Sequence, residues 1–155
     1  MTKKIIYIDM DGVLVDLGSE IKKYSETQPG LVAKLGDELD KLPNLFKDPK
    51  PMPGAINAFN ALCNSDLYEV YILSTAPWDN PDAWTHKRLW VEKYLGKGAY
   101  KRLILSHNKH LCAGDYLIDD RDKNGAGEFR GQLIQFGTEP FLDWDAVLKY
   151  LNVCV

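Results

Sequence analysis

Six polar residues of this 155-residue chain stand directly beyond short apolar runs, and their types suit the transfer of a phosphoryl group. Asp9 and Asp11, in Asp9-Met10-Asp11-Gly12, follow the run Ile5-Ile6-Tyr7-Ile8. Thr75, in Ser74-Thr75-Ala76-Pro77, follows Val70-Tyr71-Ile72-Leu73; Lys109 follows Leu103-Ile104-Leu105; Asp119 and Asp120 follow Tyr116-Leu117-Ile118. Gathered at one edge of a sheet, four carboxylates repel one another unless something positive sits among them. Magnesium suits that place, because it takes a few hard oxygen ligands and keeps positions open for water and phosphate. Lys109 and the Thr75 hydroxyl would face the remaining phosphate oxygens. Such chemistry asks mainly for positioning and charge neutralisation, and a carboxylate can be its nucleophile.

Each piece alone has an ordinary reading. Asp-x-Asp-Gly is common in turns. As a calcium loop it fails, because Val13 holds the fifth position, where an oxygen ligand is required, and Gly12 comes too early. Thr75 alone is a strand-end hydroxyl bonded locally, Lys109 alone a surface lysine, and Asp119-Asp120 alone the start of a solvated turn with Arg121-Asp122-Lys123. Their conjunction carries the reading, since each stands just past a strand-like run.

Those runs must therefore be elements of one sheet. Short, continuous, β-branched stretches are the pattern of strands buried on both faces, and Leu133-Ile134-Gln135-Phe136 makes a fifth. Between them the spacing predicts helices over 54–63 and 82–95, with Pro81 at a helix start, and a last helix capped by Asp143. Strands alternating with helices predict an α/β fold: a three-layer, Rossmann-like parallel sheet of about five strands, with ligands beyond the carboxyl ends. Residues 16–53 break the alternation, with helical pieces at 17–26 and 31–42 and then a proline-rich stretch. They read either as a long surface connection or as a small helical cap inserted after the first strand. The position of this segment, right after the most chemically loaded strand end, favours the cap. The whole is one domain over 1–155, with its core in 1–15 and 54–155.

Composition bounds the partners. Hydrophobic content of 45% and charged content of 26% are those of a soluble globular protein. A net charge of −3 offers no footprint for a nucleic-acid polymer. Cys63, Cys112 and Cys154 form no pair motif and suit a reducing compartment. The apolar run after Lys3-Lys4 is cut short by Asp9 and Asp11, so it predicts neither a signal peptide nor a membrane span, and the expected location is cytoplasmic. Composition is silent between monomer and homodimer.

The motif Asp9-Met10-Asp11-Gly12-Val13-Leu14-Val15-Asp16 resembles the D-x-D-G-x-x-x-D motif of the haloacid dehalogenase-like superfamily. Thr75, Lys109 and Asp119-Asp120 follow in that superfamily's order. Within it the chain is most similar to the 5'(3')-deoxyribonucleotidases, through Pro53-Gly54-Ala55, Ser74-Thr75-Ala76-Pro77, Trp90-Val91-Glu92-Lys93-Tyr94-Leu95-Gly96 and Leu117-Ile118-Asp119-Asp120-Arg121. The resemblance implies a magnesium-dependent phosphomonoesterase acting on (deoxy)nucleoside monophosphates through an aspartyl-phosphate. Asp9 would be the nucleophile and Asp11 the acid and base. The Asp9 and Asp120 carboxylates with the Asp11 carbonyl would hold Mg2+. Thr75, the backbone around Ala76, and Lys109 would bind phosphate, with Asp119 orienting Lys109. Leu17 stands where that branch has an aromatic residue against the nucleoside, and His107 where it has an arginine; Trp78 could supply a stacking face instead. Another small phosphomonoester, such as a sugar phosphate, is the alternative substrate. A phospho-accepting receiver module shares the residue types, but it carries its acidic pair first and its acceptor Asp on a middle strand.

Overall fold

Five of the apolar runs become five parallel strands in the computed structural model, which describes residues 2–155. They are β1 (Lys4–Ile8), β2 (Tyr68–Ser74), β3 (Leu103–Leu105), β4 (Tyr116–Asp119) and β5 (Gln132–Gln135), in the order β3-β2-β1-β4-β5. The register pairs Ile8 with Ile72 on one side and with Ile118 on the other, so the ends of the central strands lie level. The order reverses between β1 and β4. At such a switch point the connections leave in opposite directions and open a crevice past the strand ends.

Successive side chains in a strand face opposite ways, and the two faces are covered differently. Ile6, Ile8, Val70, Ile72, Ile118 and Ile134 pack on helices α3 (Ala55–Asn64), α4 (Pro81–Leu95) and α5 (Trp144–Tyr150). Tyr7, Leu73 and Leu117 face a thinner layer built around Ala126, Phe129 and Cys112, held in irregular segments with 3-10 turns at Lys109–Leu111 and Ala126–Glu128. Asp143 caps α5 through Ala146 N–H, and Trp144 donates from Nε1 to the Val13 carbonyl at 2.9 Å, tying the last helix to the loop after β1.

Between β1 and α3 the chain forms α1 (Leu17–Thr27), capped by Asp16, and α2 (Pro29–Leu35). The single helix predicted over 31–42 is broken: α2 stops at Gly36, at φ +57°, and only a 3-10 turn over Leu39–Lys41 follows. Leu42, Leu45 and Phe46 are buried in a small core of their own with Ala83 of α4, packed by Leu17, Ile21 and Tyr24. Contacts to α4 anchor the segment: Asn80 donates to the Asp40 carbonyl at 2.9 Å, Trp90 to the Pro49 carbonyl at 2.8 Å, and Asp48 accepts from Lys93 and Tyr94.

Candidate active site

The loop that follows β1 is folded tightly by its own backbone. Leu14 N–H and Val15 N–H both donate to the Met10 carbonyl, and Gly12, at φ +79°, donates to Val15. Glycine reaches that φ without steric cost. Closeness demands it too, since a Cβ at Gly12 would lie 2.2 Å from Asp120 Oδ2. The turn thus presses backbone against the acidic pair ending β4, and Asp9 is fixed between the strands by donating its N–H to the Ile118 carbonyl at 2.9 Å.

Into this corner comes Lys109. Its backbone N–H donates to the Asn124 carbonyl, and its Nζ donates to Asp119 Oδ2 at 2.6 Å and Asp9 Oδ1 at 3.0 Å. All three residues are buried. Burial pushes the Asp9 carboxyl up to about 7; Lys109 and, more weakly, Lys87 pull against that, while Asp119 and Asp11 add to it. Burial likewise raises Asp119 and Asp120, opposed by the nearby cations Lys109 and Arg121. For Lys109 burial works downward, but the two carboxylates outweigh it and its pKa is raised. Arg121 N–H donates to Asp119 Oδ1, so Asp119 accepts on both oxygens.

A second lysine, outside every sequence motif, meets the site from α4. Lys87 Nζ donates to Asp11 Oδ2 at 2.7 Å and to Ser74 Oγ at 3.1 Å. The available signal was position: Lys87 shares the buried stripe of Ala83, Trp90, Val91 and Leu95. A lysine on the apolar stripe of an amphipathic helix points inward. Trp84, on the same helix, is only half-buried and donates to the Pro77 carbonyl.

Asp9, Asp11, Thr75, Lys109 and Asp119, with Arg121, Lys123 and Asn124, line a chamber of ≈ 20 Å³. Thr75 directs its hydroxyl proton to the Ser106 carbonyl at 2.8 Å, while Ala76 is buried and outside that lining. Asp11, Thr75, Arg121 and Asn124 also border a wider cleft of ≈ 930 Å³ between the core and the 16–53 segment. Leu17, Trp78, His107 and Asp120 border it too. Trp78 is 75% exposed and stands edge-on to Trp84 and His107, with centroids 6.3 and 6.0 Å away.

The donor set fits a hard divalent cation. Oxygens of Asp9, Asp119 and Asp120 lie within 4.8 Å of one another. Asp120 Oδ1 is buried, and among the described residues no group donates to it. A buried acceptor without a partner is costly. Among the described residues the side-chain cations bonded to Asp9, Asp11, Asp119 and Asp120 are Lys87 and Lys109, so that bonded set carries an excess of two negative charges when all are ionised, with Arg121 and Lys123 further out in the chamber wall. A divalent cation cancels that excess. Asp119 accepts on both oxygens, from Lys109 and from Arg121 N–H, whereas Asp9 accepts from Lys109 through Oδ1 alone and Asp120 Oδ1 has no donor among the described residues, so Asp9 and Asp120 keep oxygens that could ligate a cation.

Comparison with known proteins gives a consistent neighbourhood. The family described as "5' nucleotidase, deoxy (Pyrimidine), cytosolic type C protein" matches residues 27–142. A Vibrio phage KVP40 protein named "Putative 5'(3')-deoxyribonucleotidase" is 57% identical over 97% of this chain and 85% of its own length. The Bacillus subtilis 5'(3')-deoxyribonucleotidase is 30% identical over 97% of this chain and 94% of its own. Among solved structures, the HAD-hydrolase YfnB of Bacillus subtilis, described as bound to magnesium, aligns with a TM-score of 0.59 at 10% identity. That alignment covers 98% of this chain and 100% of YfnB, and at this identity it speaks for the fold.

Proposed function

This chain belongs to the 5'(3')-deoxyribonucleotidase family, and from that premise we propose that it hydrolyses (deoxy)nucleoside monophosphates to nucleoside and phosphate with Mg2+ bound. One observation carries the reading: the buried Lys109 ammonium joins Asp9 to Asp119, beside a buried Asp120 oxygen that has no donor among the described residues. That is a nucleophile, a phosphate-binding cation and a vacant ligand atom in one corner.

Asp9 attacks phosphorus with a carboxylate oxygen, and the ester P–O bond breaks to leave an aspartyl-phosphate. Asp11 gives its carboxyl proton to the departing alkoxide, then takes a proton from the water that attacks phosphorus. The acyl-phosphate P–O bond then breaks, which frees Asp9 and inorganic phosphate. Lys109 and Thr75 bind the phosphoryl oxygens, the latter by turning its hydroxyl from Ser106, together with backbone N–H around Ala76. Asp119 holds Lys109 in place. The Asp9 and Asp120 carboxylates and the Asp11 carbonyl would hold Mg2+, which supplies charge neutralisation for the phosphoryl group.

The wider cleft takes the nucleoside, with Leu17 and the exposed Trp78 ring as apolar surfaces for sugar and base. Residues 16–53 act as a cap over it on a single domain, excluding water from the reaction. The test is Asp9→Asn assayed with magnesium, a nucleoside monophosphate and a nitrophenyl phosphate. Loss of turnover by at least about 10³-fold with both is expected, together with loss of the acid-stable, hydroxylamine-sensitive phosphoenzyme. Comparable activity in the variant would remove Asp9 from its role.

A further inference from the structure

We propose that Lys87 is a positioning residue for the acid–base group: it holds the Asp11 carboxylate in one orientation, and Phe46 of the 16–53 segment closes the pocket around it. The inference rests on the reading of Asp11 given above. Its physical basis is the expense of the arrangement. Lysine is almost never fully buried unless paired, yet Lys87 is 1% exposed. Its ammonium has three protons to place. Asp11 Oδ2 takes one at 2.7 Å, Ser74 Oγ takes another at 3.1 Å, and the Phe46 ring faces the same nitrogen at 4.9 Å from its centroid.

Three parts of the molecule therefore meet on one nitrogen. Ser74 is the last residue of β2, Asp11 belongs to the loop after β1, and Phe46 comes from the segment between β1 and α3. None of the three partners is a neighbour of Lys87 in sequence, so the contact forms only when core and cap are assembled. Asp11 is the more exposed member of the ion pair, at 24% of its side chain, and stays open to the chamber while its back is held. A carboxyl group tethered through Oδ2 presents its other oxygen, the one that carries the transferred proton, in a fixed direction, as proton transfer to a leaving alkoxide requires.

A purely structural role makes a different forecast. Removing one partner of a buried pair destabilises the fold, and such a loss would lower activity toward every phosphate ester alike, so the contrast between two substrates in Lys87→Met separates the two roles. Rapid-quench measurement of phosphoenzyme formation from a nucleoside monophosphate should fall about 100-fold in Lys87→Met, the scale of a misplaced acid. From nitrophenyl phosphate, whose leaving group departs without a proton, it should fall less than about 5-fold. KM should change little in both. Phe46→Leu, which keeps the packing and removes the ring, should show the same preference at smaller size and serves as the deciding variant if Lys87→Met does not fold. Equal losses with the two substrates, or none with either, would overturn the proposal. A wild-type enzyme that turns over neither substrate with magnesium would instead overturn the activity on which it rests.

Discussion

Lys109 bears opposing demands at the scale of single residues. Burial should strip its charge, and two carboxylates keep the charge in place. The same contact favours the ionised form of Asp9, the form the proposed attack needs, because burial raises the Asp9 carboxyl and Lys109 is the largest influence pulling it down. Lys109→Met removes that pull, so the Asp9 titration must move upward, away from its present value of about 7. Carbon-detected NMR of the metal-free variant should show the Asp9 midpoint above that of the wild type. Stability should drop as well. Taking one partner from a buried pair costs about 3–5 kcal/mol, and here two buried carboxylates lose their common donor. Urea unfolding of wild type and variant near neutral pH measures this. An unmoved Asp9 midpoint would show that Lys109 does not govern the proposed nucleophile.

At the scale of elements, the site is made by turns placed at strand ends, and Gly12 is the turn with least freedom. Gly36 gives the comparison. Both sit at positive φ, but among the described residues a Cβ at Gly36 meets nothing within 4 Å, while at Gly12 it meets the Asp120 carboxylate. Gly36→Ala should thus show only backbone strain of about 1–2 kcal/mol. Gly12→Ala adds displacement of Asp120 and should weaken magnesium binding by at least about tenfold, read by isothermal titration. Equal magnesium affinities in the two variants would dissociate Asp120 from the metal. The same contrast explains what could be read beforehand. Ile5–Ile8 and Val70–Leu73 were legible because a strand buried on both faces must be apolar throughout. The acidic and cationic strand-end residues were legible because each follows such a run. The break at Gly36 was not, since an isolated glycine interrupts a helical pattern only weakly. Lys87 was not, because it stands among Thr85, His86 and Arg88 and looks solvated, although the stripe of Ala83, Trp90 and Val91 gives it away. The pairing of Phe46 with Lys87 is a tertiary contact with no local signature at all.

Across the whole molecule, the site is a store of unfavourable charge that links stability to pH and to metal. The folded protein raises Asp9 to about 7 and raises Asp119 and Asp120 as well, chiefly by burying them. An unfolded chain releases those protons near pH 4. Between roughly pH 4 and 7 the folded state therefore binds more protons than the unfolded one, and stability contributed by these groups falls as pH rises through that window. Above it the penalty is complete. A divalent cation held here would bind the ionised carboxylates, so it would compete with protons and relieve the penalty only where they have left. Ligand at a hundred times its dissociation constant adds about 2.7 kcal/mol, which for a chain of this length is roughly 5–10 °C in Tm. Thermal melts with and without excess magnesium should therefore separate by that much at pH 8 and by far less at pH 5. Taking the difference at each pH cancels the titration of groups outside the site. A magnesium shift of the same size at both pH values would mean that the ion binds somewhere other than this buried acidic corner.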